Sequence, residues 1–259
     1  MSEVAKLIDI MARLRAPDGC PWDQEQTLTS LQKYLVEETY EVIDAIDSGD
    51  PAHHCDELGD LLLQVVFQAQ IQSESGAFTF EDVARSINDK MIRRHPHVFG
   101  DVSVKDSDDV LRNWEEIKAQ EKGSVDASAS VLDGVPKALP ALMYADKIQR
   151  KAARVGFDWG DVAPVLDKVD EELGELRAAI ASGDEAAVQE EMGDLLFAAV
   201  NVSRFLKHDP EALLREATAK FIDRFQKLES LALDRELELK DMSLEELDVL
   251  WDEVKREHF

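Results

Sequence analysis

Two acidic clusters with identical spacing carry the residue types most suited to chemistry in this sequence. The first copy reads Glu37-Glu38-x-x-Glu41, then Glu57-x-x-Asp60, and the second reads Glu171-Glu172-x-x-Glu175, then Glu191-x-x-Asp194. In both copies a Ser-Gly-Asp segment lies between the two parts, and Leu-Leu follows the final Asp. Carboxylates that converge repel one another unless a cation neutralises them. We therefore expect each copy to bind a divalent cation, and oxygen-only ligands favour Mg²⁺ with Mn²⁺ as a substitute.

Helices are the elements that must position these acids. Leu31, Leu35 and Val42 recur at helical spacing, which predicts an apolar stripe along one helix. At 100° per residue, Glu38 and Glu41 border this stripe and do not lie opposite it. The carboxylates are therefore expected at the rim of a core.

A second helix is predicted to return antiparallel to the first in each copy. Asp50-Pro51 combines an N-cap residue with a proline at the first helical position, and Asp184 is the matching cap. Glu57 and Asp60 are then neighbours on one helix face. No stretch shows the alternation typical of strands. We predict an all-α fold with two tandem helical bundles, each built around an antiparallel helical hairpin.

The repeat extends beyond the acids and indicates a duplicated unit of about 120 residues. The matching pairs are Trp22 and Trp159, Lys90 and Lys220, Arg94 and Arg224, and Trp114 and Trp251. We predict a first domain at 1–123, a linker at 124–130 and a second domain at 131–259.

Composition limits the classes of partner. The chain has 55 Asp and Glu against 29 Lys and Arg, a formal charge of −26, which argues against nucleic-acid binding. The apolar runs are too short for a membrane span. Two cysteines, Cys20 and Cys55, do not make a disulfide framework and favour a reducing cytoplasm.

Other interpretations fit the sequence less well. Solvated surface acids need no fixed spacing, yet both copies keep it. A di-iron centre requires Glu-x-x-His pairs, which the clusters lack. His53-His54-Cys55 has no counterpart in the second copy and no fourth zinc ligand. No Gly-x-x-x-x-Gly-Lys-Ser/Thr phosphate loop occurs. His95 and His97 either contact a nucleotide or shape a loop, and the sequence leaves both roles open. The alternative to an enzyme is a helical interaction protein whose acids bind a structural metal or a basic partner.

The acidic motifs on a helical hairpin resemble those of the MazG family of all-α nucleoside triphosphate pyrophosphohydrolases. Three further segments share this resemblance, namely Leu14-Arg-Ala-Pro-Asp-Gly-Cys-Pro-Trp-Asp23, Arg93-Arg-His-Pro-His-Val-Phe-Gly100 and Val155-Gly-Phe-Asp-Trp159. The resemblance covers nearly the whole chain. It implies Mg²⁺-dependent cleavage of NTPs and dNTPs between the α and β phosphates, for removal of aberrant nucleotides or control of nucleotide pools. It also implies a homodimer.

The resemblance assigns roles to individual residues. The metal ligands would be Glu172, Glu175, Glu191 and Asp194 in the second copy, and Glu38, Glu41, Glu57 and Asp60 in the first. Glu171 or Glu37 is the candidate base, and Glu172 belongs with Glu171 to the expected catalytic group. Lys220 and Arg224 share a helix face and suit phosphate binding, while Trp251 either stacks on a base or packs in the core.

Two neighbours of the acids differ between the copies. Lys168 lies one turn before Glu172, where the first copy has Tyr34, and Asn201 occupies the position of Phe67. Both polar side chains are expected on the metal-facing side, where they could meet a nucleotide. The second domain is therefore predicted to hold the main NTP site.

Overall fold

The computed structural model describes residues 2–121 and 130–256, apart from the side chains at 108, 111, 115 and 119. Within these ranges the chain forms helices and no strand. The chain divides into two compact units, Met1–Ser124 and Val125–Phe259. Positions 124–129 of the predicted linker lie outside the described residues. Within 2–121 and 130–256, every helix is too short or too polar to cross a membrane.

The first unit contains seven helices within its described residues. They are α1 (Glu3–Leu14), α2 (Pro21–Glu25), α3 (Gln32–Ser48), α4 (Pro51–Glu74), α5 (Phe80–Arg94), α6 (Pro96–Phe99) and α7 (Ser107–Glu121). Helix α4 packs against α1, α3 and α5. The hydrophobic core of the first unit contains the buried residues Met11, Leu31, Val66 and Phe67. Leu31 of the predicted apolar stripe thus belongs to this core, and Val42 of the stripe is also buried.

Within its described residues, the helices of the second unit are α8 (Ala141–Arg154), α9 (Val162–Ser182), α10 (Glu185–Phe205), α11 (Pro210–Asp234) and α12 (Leu244–Arg256), with a 3₁₀ turn at Leu239–Asp241. This unit contains a similar central hairpin, with α9 and α10 in place of α3 and α4. Helix α10 packs against α8, α9 and α11. Leu228 and Ala232 of α11 form a separate buried cluster with Leu250 and Val254 of α12.

A tight turn closes the hairpin of each unit. Gly49 and Gly183 have φ angles of 68° and 74°, in the left-handed region where glycine carries no Cβ penalty. Asp50 and Asp184 then accept hydrogen bonds from main-chain N–H groups of the next helix. The predicted caps are confirmed, and the turn fixes α3 against α4 and α9 against α10.

Candidate functional site

The hairpin of the second unit brings three predicted carboxylates together. Glu172, Glu175 and Glu191 each offer an oxygen within 4.8 Å of the others. Burial raises the pKa of Glu191, and the charges of Glu175, Glu172 and Asp194 raise it further. Asp194 is therefore close enough to act on the group electrostatically, although it is outside the set of three.

The first unit repeats this group of carboxylates. Glu38, Glu41 and Glu57 offer oxygens within the same 4.8 Å. Burial is the largest cause of a raised pKa at Glu38, followed by the charges of Asp60 and Glu41. Both units thus hold carboxylates at a separation where their mutual repulsion favours protonation or a bound cation.

The donor set suits a hard divalent cation. Both groups offer only carboxylate oxygens, which are the ligand type that Mg²⁺ takes. In the second unit the residues that could hold such an ion are Glu172, Glu175 and Glu191, with Asp194 beside them.

Lys168 supplies a positive charge to the second carboxylate group. Its Nζ lies 2.8 Å from Glu171 Oε1 and 2.6 Å from Glu172 Oε1. These hydrogen bonds raise the pKa of Lys168, which therefore stays cationic. Glu172 is buried, whereas the side chain of Glu171 is 56% exposed. The lysine thus lies between the buried carboxylate and the solvent-facing candidate base.

A cavity of about 380 Å³ adjoins this group. Four predicted site residues line it, namely Lys168, Glu172, Asp194 and Asn201. The remaining lining is largely apolar and includes Phe157, Trp159, Val165 and Phe197. The site therefore combines charged groups, suited to cations and phosphates, with an apolar space large enough for a flat ring.

In the first unit, aromatic side chains occupy the corresponding positions. Trp22 meets Tyr34 and Phe67 edge to face, with ring centroids 5.8 Å and 6.4 Å away. Phe67 is 2% exposed, and Tyr34 packs against the same core. Tyr34 and Phe67 thus form packed core where Lys168 and Asn201 line the cavity of the second unit.

An ion pair ties the loop before α9 to the cavity wall. Asp158 accepts two hydrogen bonds from Arg204, whose Nη1 lies 2.9 Å from Asp158 Oδ2. Arg204 lowers the pKa of Asp158, so the pair stays charged. Arg204 Nε also donates to Asn201 Oδ1 at 2.7 Å. The pair therefore fixes Phe157 and Trp159, which flank Asp158, relative to α10.

Three predicted nucleotide contacts are not among the described residues that line the cavity. Lys220 is exposed on α11, and Arg224 lies one turn further along it. Trp251 of α12 packs on Phe221, with ring centroids 5.2 Å apart. Packing is thus the contact that Trp251 makes within the unit, and the three nucleotide contacts stay predictions.

The model of the MazG nucleotide pyrophosphohydrolase domain matches the chain twice, over residues 26–99 and 161–228. The chain belongs to the MazG family. The two matches contain both carboxylate groups, so the duplicated MazG domain accounts for the repeated spacing.

Two relatives match this chain over nearly their entire length, and a third matches it over part of its length. A nucleoside triphosphate pyrophosphohydrolase of Escherichia coli strain K12 is 48% identical over 260 residues, which cover 99% of this chain and 98% of that protein. The nucleoside triphosphate pyrophosphohydrolase/pyrophosphatase MazG of Thermotoga maritima is 50% identical over 250 residues, covering 96% and 94%. A Mycobacterium tuberculosis nucleoside triphosphate pyrophosphohydrolase is 41% identical over 155 residues, 59% of this chain and 46% of that protein.

Two contacts beside the first MazG carboxylate group were not predicted from the sequence. Gln64 Nε2 donates to Glu38 Oε1 at 3.3 Å, and the second unit has Ala198 at the matching position. His53 Nε2 lies 3.2 Å from Glu57 Oε1. His53 and Glu57 are four residues apart, a helical spacing that could have predicted this contact from the sequence. The two carboxylate groups thus differ in their neighbours although their acids match.

Proposed function

We propose that this chain is a nucleoside triphosphate pyrophosphohydrolase whose main active site lies in the second MazG unit. Membership of the family supports the reaction class, and so do two relatives of nearly equal length that are named as nucleoside triphosphate pyrophosphohydrolases. One structural observation supports the location: Glu172 belongs to the group of three carboxylates and also lines the cavity. A triphosphate held at the carboxylates would then place its base in the apolar space.

Four carboxylates of the second unit would bind the metal. Glu172, Glu175, Glu191 and Asp194 would hold Mg²⁺, or Mn²⁺ in its place. When bound, the metal supplies positive charge that offsets the charge of the triphosphate and of the transition state.

A carboxylate outside the metal set would position the attacking water, and Glu171 is the candidate. The water oxygen bonds to the α-phosphorus and its proton passes to the carboxylate, while the bond from the α-phosphorus to the bridging oxygen breaks. The products are NMP and pyrophosphate.

The test is an incubation of the intact protein with each of the eight common NTPs and dNTPs. With Mg²⁺, we expect NMP and pyrophosphate in equal amounts by anion-exchange chromatography. With EDTA, the rate should fall to background, because metal-free carboxylates would repel the triphosphate. Restoring Mg²⁺ in excess should restore activity, which separates metal loss from unfolding.

Other products would contradict specific parts of the proposal. NDP and phosphate would mean attack at the γ-phosphorus. Absence of turnover with every nucleotide would favour the alternative, a helical binding protein whose acids hold metal or a basic partner.

We also propose that two copies of the chain associate through the hairpins. Ile46 and Leu58 in the first unit, and Ile180 and Met192 at matching positions in the second, are between 43% and 60% exposed. Exposure of the same apolar positions in both units suits a shared partner surface, and the family resemblance implies a homodimer. A cytoplasmic location, favoured by the free thiols of Cys20 and Cys55, completes the proposal.

Light scattering coupled to size exclusion measures this association. The protein is expected to elute with twice its chain mass of 29.1 kDa. Ile180→Asp combined with Met192→Asp should shift it toward the single-chain mass, because charges are costly in an apolar interface. A single-chain mass for the unchanged protein would refute the dimer.

A further inference from the structure

The cavity wall contains a buried hydrogen-bond acceptor with no protein partner among the described residues. Gln149 of α8 is 7% exposed and lines the cavity. Its Nε2 donates to the main-chain oxygen of Phe197 at 2.8 Å, whereas its Oε1 is buried without a hydrogen bond. A buried carbonyl oxygen left unpaired is costly, so this position favours a ligand that brings a donor.

The contact with Phe197 decides which end of the amide serves the ligand. Rotating the amide by 180° would bring Gln149 Oε1 against the main-chain oxygen, and two acceptors repel. Gln149 therefore presents an acceptor. On α10, Asn201 Oδ1 accepts from Arg204, which makes its amide nitrogen the end that suits a ligand acceptor.

We infer that Gln149 Oε1 accepts a hydrogen bond from an N–H group on the edge of the nucleobase. This inference rests on the proposed function, which directs the triphosphate to the carboxylates and the base to the cavity. Among the parts of an NTP, the base alone combines flat apolar faces with N–H groups on its edge. Phe157 and Trp159 suit the faces, and Gln149 suits the edge.

The test compares nucleotides that differ in one N–H-bearing group of the base. The pairs are ATP with purine riboside triphosphate, CTP with zebularine triphosphate, GTP with inosine triphosphate, GTP with N1-methylguanosine triphosphate, and UTP with N3-methyluridine triphosphate. For each pair, the ratio of kcat/KM values is measured with the intact protein, with Gln149→Met and with Gln226→Met. Gln226 is exposed on α11, so it provides the same substitution away from the cavity.

In at least one pair, the unchanged protein should favour the N–H-bearing nucleotide by about 10-fold to 100-fold, the usual cost of one unsatisfied buried group. Gln149→Met should bring that ratio close to one, and Gln226→Met should preserve it. A purely structural role for Gln149 would lower both members of a pair equally and leave the ratio unchanged.

Two results would overturn the inference, and they differ from failure of the proposed function. The first is a kcat/KM ratio near one for every pair in the unchanged protein. This result does not depend on whether any variant folds. The second is a ratio that Gln149→Met leaves intact. Lack of turnover with all nucleotides would instead overturn the proposed function and the inference with it.

Discussion

Glu172→Gln is expected to lower kcat/KM for NTP hydrolysis about 1,000-fold, because a catalytic metal supplies several kcal/mol and each 1.4 kcal/mol is tenfold in rate. Glu172 is the buried member of the carboxylate group and contacts both Lys168 and the cavity. Gln keeps the shape of the side chain but removes the charge that would hold the cation. Steady-state kinetics with saturating Mg²⁺ measure the effect.

The matched substitution in the first unit distinguishes the two sites. Glu38→Gln removes the corresponding charge, and we expect kcat/KM to change less than about threefold, since Tyr34 and Phe67 occupy the adjoining space. Glu229→Gln, at an exposed position of α11, controls for loss of one surface charge. Equal losses from Glu38→Gln and Glu172→Gln would contradict the placement of the main site, provided that circular dichroism shows both variants folded.

The sequence predicted the hairpins and the convergence of the acids because local rules decide both. Helical periodicity placed Glu38 beside the apolar stripe, and Asp50 and Asp184 marked the helix starts that the structure has. The internal repeat also aligned Lys168 with Tyr34. Comparison of the two copies within one chain therefore predicted polar neighbours for the second carboxylate group and aromatic neighbours for the first.

Contacts between distant residues could not be predicted in this way. Gln149 meets the main chain of Phe197 48 positions away, and Arg204 meets Asp158 46 positions away. Periodicity indicates which face a residue occupies, but tertiary packing selects the element that this face meets. Trp251 illustrates the same limit, because its helix face packs on Phe221 within the unit.

Asn201→Phe tests whether the open cavity makes the second unit suited to nucleotides. The substitution copies Phe67 of the first unit, and the ring has space in a cavity of about 380 Å³. We expect kcat/KM to fall about 100-fold, mainly through a higher KM, because base contacts with aromatic side chains contribute about 1–3 kcal/mol and the ring would exclude the base. Binding of Mn²⁺, measured by electron paramagnetic resonance, should persist because the carboxylates are unchanged.

Asn201→Ala separates filling of the cavity from loss of the amide. It removes the amide nitrogen that suits a ligand acceptor but leaves the space open, so its expected cost is about 10-fold in kcat/KM, the scale of one hydrogen bond. A larger loss in Asn201→Ala than in Asn201→Phe would show that the amide, and not the open space, is required. If the two variants instead follow the expected order, the aromatic core at Phe67 explains why matching acids in the first unit do not make an equivalent nucleotide site.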